Sequence, residues 1–106
     1  MDTAGMSPDA VTRAFFTAMS AGDADALNQY LPEPGMFQKT SYRETALGLK
    51  IISVGEPFQK PKFPEKSLWF VPYEIRLNTG EIRKGDLCLQ SRHPAHMGRW
   101  TFAGGL

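Results

Sequence analysis

The residues best suited to metal or nucleophilic chemistry lie near the C-terminal end of the sequence. Cys88, His93 and His96 fall within nine residues, in the spacing C-x4-H-x2-H. Zinc needs three or four converging ligands, and the sequence offers no obvious fourth ligand beside this trio. Strand parity places Cys88 on the outer face of the predicted sheet, where a lone cysteine is usually a small apolar filler. We therefore expect a half-buried thiol, with no metal site, no cofactor and no cysteine–histidine nucleophile.

Two carboxylates, Glu74 and Asp86, lie inside segments that alternate like strands. Acid–base catalysis would require a low-dielectric pocket that raises the pKa of one of them. Both are instead predicted to share a sheet face with Arg76 and Arg83, within reach of diagonal charge pairs. We expect a solvent-facing surface with salt bridges, and we predict no catalytic residue.

Three aromatic residues form the best candidate for a ligand-binding site: Trp69, Tyr73 and Trp100. Aromatic rings offer large contact areas, and their polar tips can orient a bound molecule. The alternative is that the same rings simply fill the core, as aromatic residues at strand spacing usually do. Any ligand held here would be small and hydrophobic.

The N-terminal part of the chain predicts two consecutive helices. Ser7, Pro8 and Asp9 suit the start of a helix. Apolar residues then recur at the spacing of a buried stripe. They are Val11, Ala14, Phe15, Ala18 and Met19, with Phe16 widening the stripe. Gly22 suits the end of this helix, and Asp23 suits the start of a shorter one.

The middle of the chain is less clearly patterned. Residues 33–45 are compatible with either a short helical turn or an extended connection. Residues 47–54 are rich in β-branched side chains and predict a central or long curved strand. Residues 59–66 contain two prolines and three lysines and predict a solvated loop.

Residues 67–77 and the segment that follows predict a β-hairpin around a four-residue turn, 78–81. Ile82 and Leu87 have opposite strand parity, so a β-bulge at Gly85 would be needed to keep both on one face. The apolar face of the first strand carries Trp69, Val71, Tyr73, Ile75 and Leu77. The predicted cross-strand pairs are Leu77 with Ile82, Tyr73 with Leu87 and Val71 with Leu89. In the last strand, Trp100 and Phe102 share one face.

The other face of this hairpin carries Leu68, Phe70, Pro72 and Cys88. An exposed apolar patch on a small domain is typical of an interface, so we predict that these residues form a two-fold dimer contact. The alternative is that residues 33–45 or 56–66 fold over Phe70 and cover it within one chain.

Composition places the chain among ordinary globular domains. Its 106 residues are 42% hydrophobic and 22% charged, and predict one domain over 1–106, with 1–6 as a disordered tail. A net charge of +1 gives no case for nucleic acid or an anionic membrane as partner. No signal peptide or membrane-spanning segment is predicted. A cytoplasmic location is favoured, and export with a removed signal peptide is the alternative.

Residues 7–31 resemble the opening of nuclear transport factor 2-like domains, with the helix break at Ala21-Gly22-Asp23 as the family's corner. Residues 71–89 and Arg99-Trp100 resemble the long strands that close the family's cone. The resemblance implies an α+β fold in which an N-terminal αα-hairpin packs on a curved, mainly four-stranded antiparallel sheet. It also implies a conical cavity, frequent homodimers and diverse roles, catalytic and non-catalytic.

The resemblance does not choose a function, because functions in such superfolds depend on individual sites. The inward face predicted here lacks the acidic or histidine groups of the family's enzymes. We therefore expect a non-catalytic, dimeric binding or accessory module with at most a small hydrophobic pocket. The alternative is a small isomerase, dehydratase or hydrolase that acts on a hydrophobic substrate.

Overall fold

The computed structural model of the chain describes residues 6–28, 30, 42–62, 68–91 and 100–105. Within these ranges the chain is an α+β fold with a four-stranded antiparallel sheet, as predicted. The helices are α1 (Pro8–Ala21), α2 (Ala24–Asn28) and α3 (Tyr42–Ala46). The strands are β1 (Lys50–Val54), β2 (Leu68–Arg76), β3 (Ile82–Gln90) and β4 (Thr101–Gly104), adjacent in that order.

The break between α1 and α2 is where the sequence predicts it. Gly22 adopts the left-handed conformation (φ 66°), and its N–H and that of Asp23 donate to carbonyls in the last turn of α1. The carboxylate of Asp23 then accepts a hydrogen bond from the backbone N–H of Ala26, at 3.1 Å, and so caps α2. Two local signals therefore fold the chain back on itself.

The buried face of α1 is wider than the predicted stripe. It includes Thr12, whose hydroxyl donates to the carbonyl oxygen of Pro8 at 2.9 Å, while Ala14 is only half-buried. The buried residues of α1 are Val11, Thr12, Phe15, Phe16, Ala18 and Met19. A threonine can be buried in a helix because its hydroxyl bonds the preceding turn.

The prediction of a central or long curved strand over 47–54 is wrong in its position and its extent. Strand β1 begins only at Lys50 and lies at one edge of the sheet. Gly48, with φ 75°, forms a turn after α3, and its N–H donates to the carbonyl oxygen of Ser20 at 2.8 Å. The ladder with β2 also shifts between Ile51 and Ser53, which leaves Ile52 exposed at a bulge. Of the ambiguous residues 33–45, those from 42 onward lie in α3, and Met36 and Phe37 lie outside the described residues.

The hairpin of β2 and β3 has a different register from the predicted one. Leu77 pairs with Glu81, whose carbonyl oxygen accepts from the Leu77 N–H at 2.8 Å, so the connection is the three residues 78–80. Gly80 has φ 89°, a conformation that such a turn requires and glycine adopts readily. The ladder then runs unbroken from Leu68–Gln90 to Arg76–Ile82. The predicted bulge at Gly85 is therefore wrong.

In this register Ile82 and Leu87, which the predicted bulge would have placed on one face, lie on opposite faces of the sheet. Ile82 lies opposite Arg76 on the outer face, and Leu87 lies opposite Val71 on the inner face. Gly85 pairs with Tyr73 instead. A Cβ atom on Gly85 would lie 3.0 Å from the Tyr73 hydroxyl, so glycine gives the tyrosine ring room to cross β3.

Strand β4 closes the far side of the core. Phe102 pairs with Leu89, and its ring stacks on that of Phe15 with centroids 5.5 Å apart. Its backbone N–H donates to the carbonyl oxygen of Tyr30 at 2.6 Å, which ties β4 to the segment after α2. Met6, at the end of the segment predicted as a tail, packs against the core.

The turn of the hairpin is attached to α3 by one side chain. The Asn78 amide donates to the carbonyl oxygens of Glu44 at 2.6 Å and Leu47 at 2.9 Å. The Asn78 backbone N–H donates to the carbonyl oxygen of Thr45 at 3.0 Å. Asn78 therefore caps the end of α3 from the distant hairpin.

We expect Asn78→Asp to lower the free energy of unfolding by about 2 kcal/mol. The substitution places a carboxylate, which can only accept hydrogen bonds, against two carbonyl oxygens that need donors. Asn78→Ala, which removes the donor without adding charge, should cost about half as much. Urea unfolding of the three proteins measures the difference. Equal stability of all three would show that the amide contributes nothing to the attachment.

Candidate functional site

Of the three aromatic residues of the predicted ligand site, Tyr73 and Trp100 belong to the core, and Trp69 packs against it. Tyr73 is only 6% exposed, and its hydroxyl donates to the carbonyl oxygen of Gly105 at 2.8 Å. Its ring lies 5.0 Å from that of Phe16 on α1. The polar tip of Tyr73 is therefore bonded to the protein's own backbone.

Trp100 is held in the same way, since its indole N–H donates to the carbonyl oxygen of Met6 at 2.9 Å. Trp69 is half-buried, lies opposite Leu89 and packs against the core. The structure thus brings the three rings together at one core. Tyr73 is hydrogen-bonded to the C-terminal end of the described chain, and Trp100 is hydrogen-bonded to its N-terminal end.

The inner face of the sheet is closed by its own side chains. Five buried residues of β2 and β3 occupy odd-numbered positions that face the helices. They are Val71, Tyr73, Ile75, Leu87 and Leu89. Together with the aromatic residues of α1 they form one cluster, so this face offers packing where the resemblance implies a conical cavity.

The outer face carries the four residues predicted to form a dimer contact. Phe70 is only 7% exposed because the chain folds back over it. Phe58 bridges to Phe70 and stacks on its ring at 5.7 Å, and the Lys60 ammonium lies 4.4 Å from the same ring centroid. The alternative in which residues 56–66 cover Phe70 within one chain is therefore observed for Phe58 and Lys60. Leu68, Pro72 and Cys88 remain half-buried around this stack.

Cys88 lies opposite Phe70 in the ladder, beneath this covered patch. Burial raises the pKa of its thiol, and the charge of Lys60 opposes the rise only in part. A thiol of this kind is protonated at neutral pH and is a poor nucleophile. The other two residues of the C-x4-H-x2-H spacing, His93 and His96, lie outside the described residues. Among those that are described, no three acidic, histidine or cysteine side chains converge as metal ligands.

The charged residues pair differently from the prediction. Glu74 pairs with Lys84 across the outer face, with 3.5 Å between Oε1 and Nζ. Arg83 was predicted to share the charged face with Glu74. In the observed register Arg83 lies opposite Ile75, and its Nε contacts Glu81 Oε1 at 3.1 Å. This difference follows from the turn, because a three-residue connection places residues 82–84 on the opposite faces from those that a four-residue turn would give.

The structure also contains a groove that sequence reasoning did not find. It has a volume of about 330 Å³ and lies between α1 and the edge strand β1. Its lining residues are Phe16, Thr17, Ser20, Ala21, Leu49, Lys50 and Ile51. The small residues 17, 20 and 21 beside the apolar stripe of α1 were the available signal. They indicate a groove only when β1 is known to be an edge strand next to this helix.

Comparisons with known proteins found no relative of this chain. No protein-family model matches the chain, and no curated protein or solved structure is significantly similar to it. In the part of the chain that the structure describes, no helix has the length and apolar character needed to cross a membrane.

Proposed function

We propose that the chain is a small non-catalytic domain of the nuclear transport factor 2-like type that acts as a dimeric binding or accessory module. The order of its elements supports this proposal, since two N-terminal helices precede a four-stranded antiparallel sheet. The observation that carries the non-catalytic role is the filled inner face. An enzyme of the rival class needs a polar group facing an open pocket, and the Tyr73 hydroxyl is instead bonded to Gly105.

The proposed dimer pairs the outer faces of two copies about a two-fold axis. The half-buried residues Leu68, Pro72 and Cys88 surround the covered Phe70 and form a mixed apolar strip. Charged residues at the other end of the same face, such as Glu74 and Lys84, would form a polar rim. Because an isologous contact uses the same patch twice, one substitution at its centre acts on both copies.

Native mass spectrometry tests both parts of the proposal in one experiment. The unmodified protein should appear as a dimer without a bound small molecule, and Leu68→Glu should appear as a folded monomer. Ile82→Glu is the matched control, because Ile82 lies at the opposite end of the same face. Phe70→Glu is less suitable, because the Phe58 ring packs on Phe70 within one chain. A monomeric parent would refute the dimer, and a stoichiometric hydrophobic adduct would favour the enzyme.

A further inference from the structure

One end of the outer sheet face is exposed and carries two cations. Lys50, Arg76 and Ile82 lie in one row there, in register across β1, β2 and β3, and all three are exposed. Since neighbouring strands are about 4.8 Å apart, the row spans about 10 Å. Helix α1 packs on the inner face, so it leaves this row open to a partner.

The bulge in β1 adds a second exposed isoleucine to this end of the face. Ile51 and Val54 pack against the core, so the bulge directs Ile52 outward, on the side of the sheet that carries Glu74. Ile52 is 46% exposed, and Ile82 on the other side of the row is 40% exposed. The two isoleucines therefore flank the two cations. We call these four residues the Lys50–Arg76 surface: Lys50, Ile52, Arg76 and Ile82.

Within the described residues, the two cations of this surface have no anionic partner, because the ion pairs found there involve neither of them. Lys50 and Arg76 lie directly opposite one another, an arrangement that is unfavourable for like charges. A carboxylate placed between them would offset this repulsion. The apolar part of the same partner would bury the flanking isoleucines.

We propose that the Lys50–Arg76 surface binds an acidic helix of another protein, which places two carboxylates against the cations and apolar side chains against the isoleucines. The three strands bond to one another here, so the face recognises side chains, and a helix suits it because its backbone bonds are internal. Helical residues one turn apart lie about 5–6 Å from each other, close to the strand spacing of about 4.8 Å. Two acidic residues one turn apart therefore meet both cations. The inference rests on the proposed role as a binding module, but it does not depend on the proposed dimer.

Two other kinds of occupant fit this surface less well. A second copy of the chain, bound here about a two-fold axis, would bring four cations together. A membrane or a nucleic acid is anionic throughout, whereas Glu74 and Glu81 border the surface and the net charge of the chain is only +1. A local pair of carboxylates avoids both conflicts.

The test uses the whole chain, labelled with ¹⁵N, and a capped helical peptide of sixteen residues. Along one face the peptide carries leucine, glutamate, glutamate and leucine at intervals of one turn, on a background of alanine and glutamine. We expect saturable NMR shift changes at the amides of residues 50–53, 75–77 and 82–84. A matched peptide with lysine in place of glutamate should bind at least about tenfold more weakly. Equal binding of the two peptides, changes that map elsewhere, or no change at millimolar peptide would overturn the inference.

Two substitutions that remove the same charge test the location of the site. Arg76→Gln should weaken binding of the glutamate peptide about fivefold. Arg13→Gln removes a cation from an exposed position on α1, on the other side of the sheet, and should change binding less than about twofold. Equal effects would show that net charge alone attracts the peptide, which would rule out a site at this surface.

Lys50→Glu separates binding from folding. It places a carboxylate opposite Arg76, so the melting temperature of the free protein should rise by about 2 °C. The same variant should lose binding, because its carboxylate pairs with Arg76 and repels the peptide. An unchanged or lower melting temperature would show that the two cations do not repel each other, which removes the reason for an anionic partner. Persistent binding would also contradict the inference.

Vesicles and the oligomeric state distinguish the other outcomes. The chain should not sediment with vesicles of phosphatidylserine and phosphatidylcholine. Sedimentation that Arg76→Gln abolishes would identify a membrane as the occupant and overturn the proposal of a helix. A dimer that fails to bind the helical peptide overturns this inference alone, and a monomer that binds it overturns the dimer alone.

Discussion

Leu87→Ala is expected to lower the free energy of unfolding by about 3 kcal/mol, whereas Ile82→Ala should lower it by less than about 1 kcal/mol. Both residues are aliphatic and lie on β3, five positions apart. Leu87 is 0% exposed on the inner face, and its truncation leaves a cavity among Val71 and its neighbours. Ile82 is 40% exposed opposite Arg76, so its truncation removes little buried surface.

Urea unfolding followed by circular dichroism measures both changes, and unchanged slopes would show that the denatured states are comparable. The pair also tests the register directly. With a bulge at Gly85, Ile82 and Leu87 would share the apolar face and both truncations would be costly. Truncation of a core aliphatic residue typically costs about 2 kcal/mol or more. If both Leu87→Ala and Ile82→Ala lower the free energy of unfolding by that much, the bulged hairpin would be favoured over the unbroken ladder.

The helices at the N-terminus could be predicted because their signals act over a few residues. Pro8 suits the first turn, Gly22 takes the left-handed conformation, and Asp23 caps the next helix. Each of these effects depends on the local backbone rather than on the rest of the fold. The burial of Thr12 was missed because its hydroxyl is satisfied by a bond that hydropathy does not register.

The strands were predictable as elements, but their register was not. Alternation correctly assigned the faces of β2 and of Leu77, which follows it. The register of β3 depends on whether the turn has three or four residues, and the three-residue turn reverses the faces of residues 82–84 relative to the prediction. An exposed apolar residue such as Ile82 then misleads, because one such residue is ordinary on a protein surface.

The hydrogen bonds that hold the polar tips of Tyr73 and Trp100 could not be predicted, because their partners lie far away along the chain. The partner of the Tyr73 hydroxyl is a backbone carbonyl 32 residues away, and the partner of the Trp100 indole is 94 residues away. Every residue has a backbone carbonyl, so the sequence does not show which one accepts a given hydrogen bond. The sequence therefore could not show that the Tyr73 hydroxyl and the Trp100 indole N–H are hydrogen-bonded in the fold. The cover of Phe70 by Phe58 depends likewise on a bridge that forms only once β1 lies beside β2.

Phe16 links the core to the groove and is the second position where a large effect is expected. It is 0% exposed, lies edge-on to Phe15 at 5.8 Å and contacts the Tyr73 ring at 5.0 Å. It also lines the groove between α1 and β1. Truncating it therefore removes one wall of the aromatic core.

We expect Phe16→Ala to lower the free energy of unfolding by about 4 kcal/mol, a large fraction of the total for a domain of this size. The melting temperature should fall by about 15 °C in differential scanning calorimetry. Phe16→Leu retains most of the apolar volume and should cost less than about 1.5 kcal/mol.

Thr17→Ala is the matched control on the same helix. Thr17 is exposed, and its hydroxyl only bonds back to the carbonyl oxygen of Arg13 at 2.8 Å, so its removal should change stability by less than about 0.5 kcal/mol. The contrast between neighbouring positions separates loss of packing from loss of helix. If Phe16→Ala and Thr17→Ala were equally mild, α1 would not pack on the sheet through its aromatic face, and the filled inner face that supports a non-catalytic role would lose its basis.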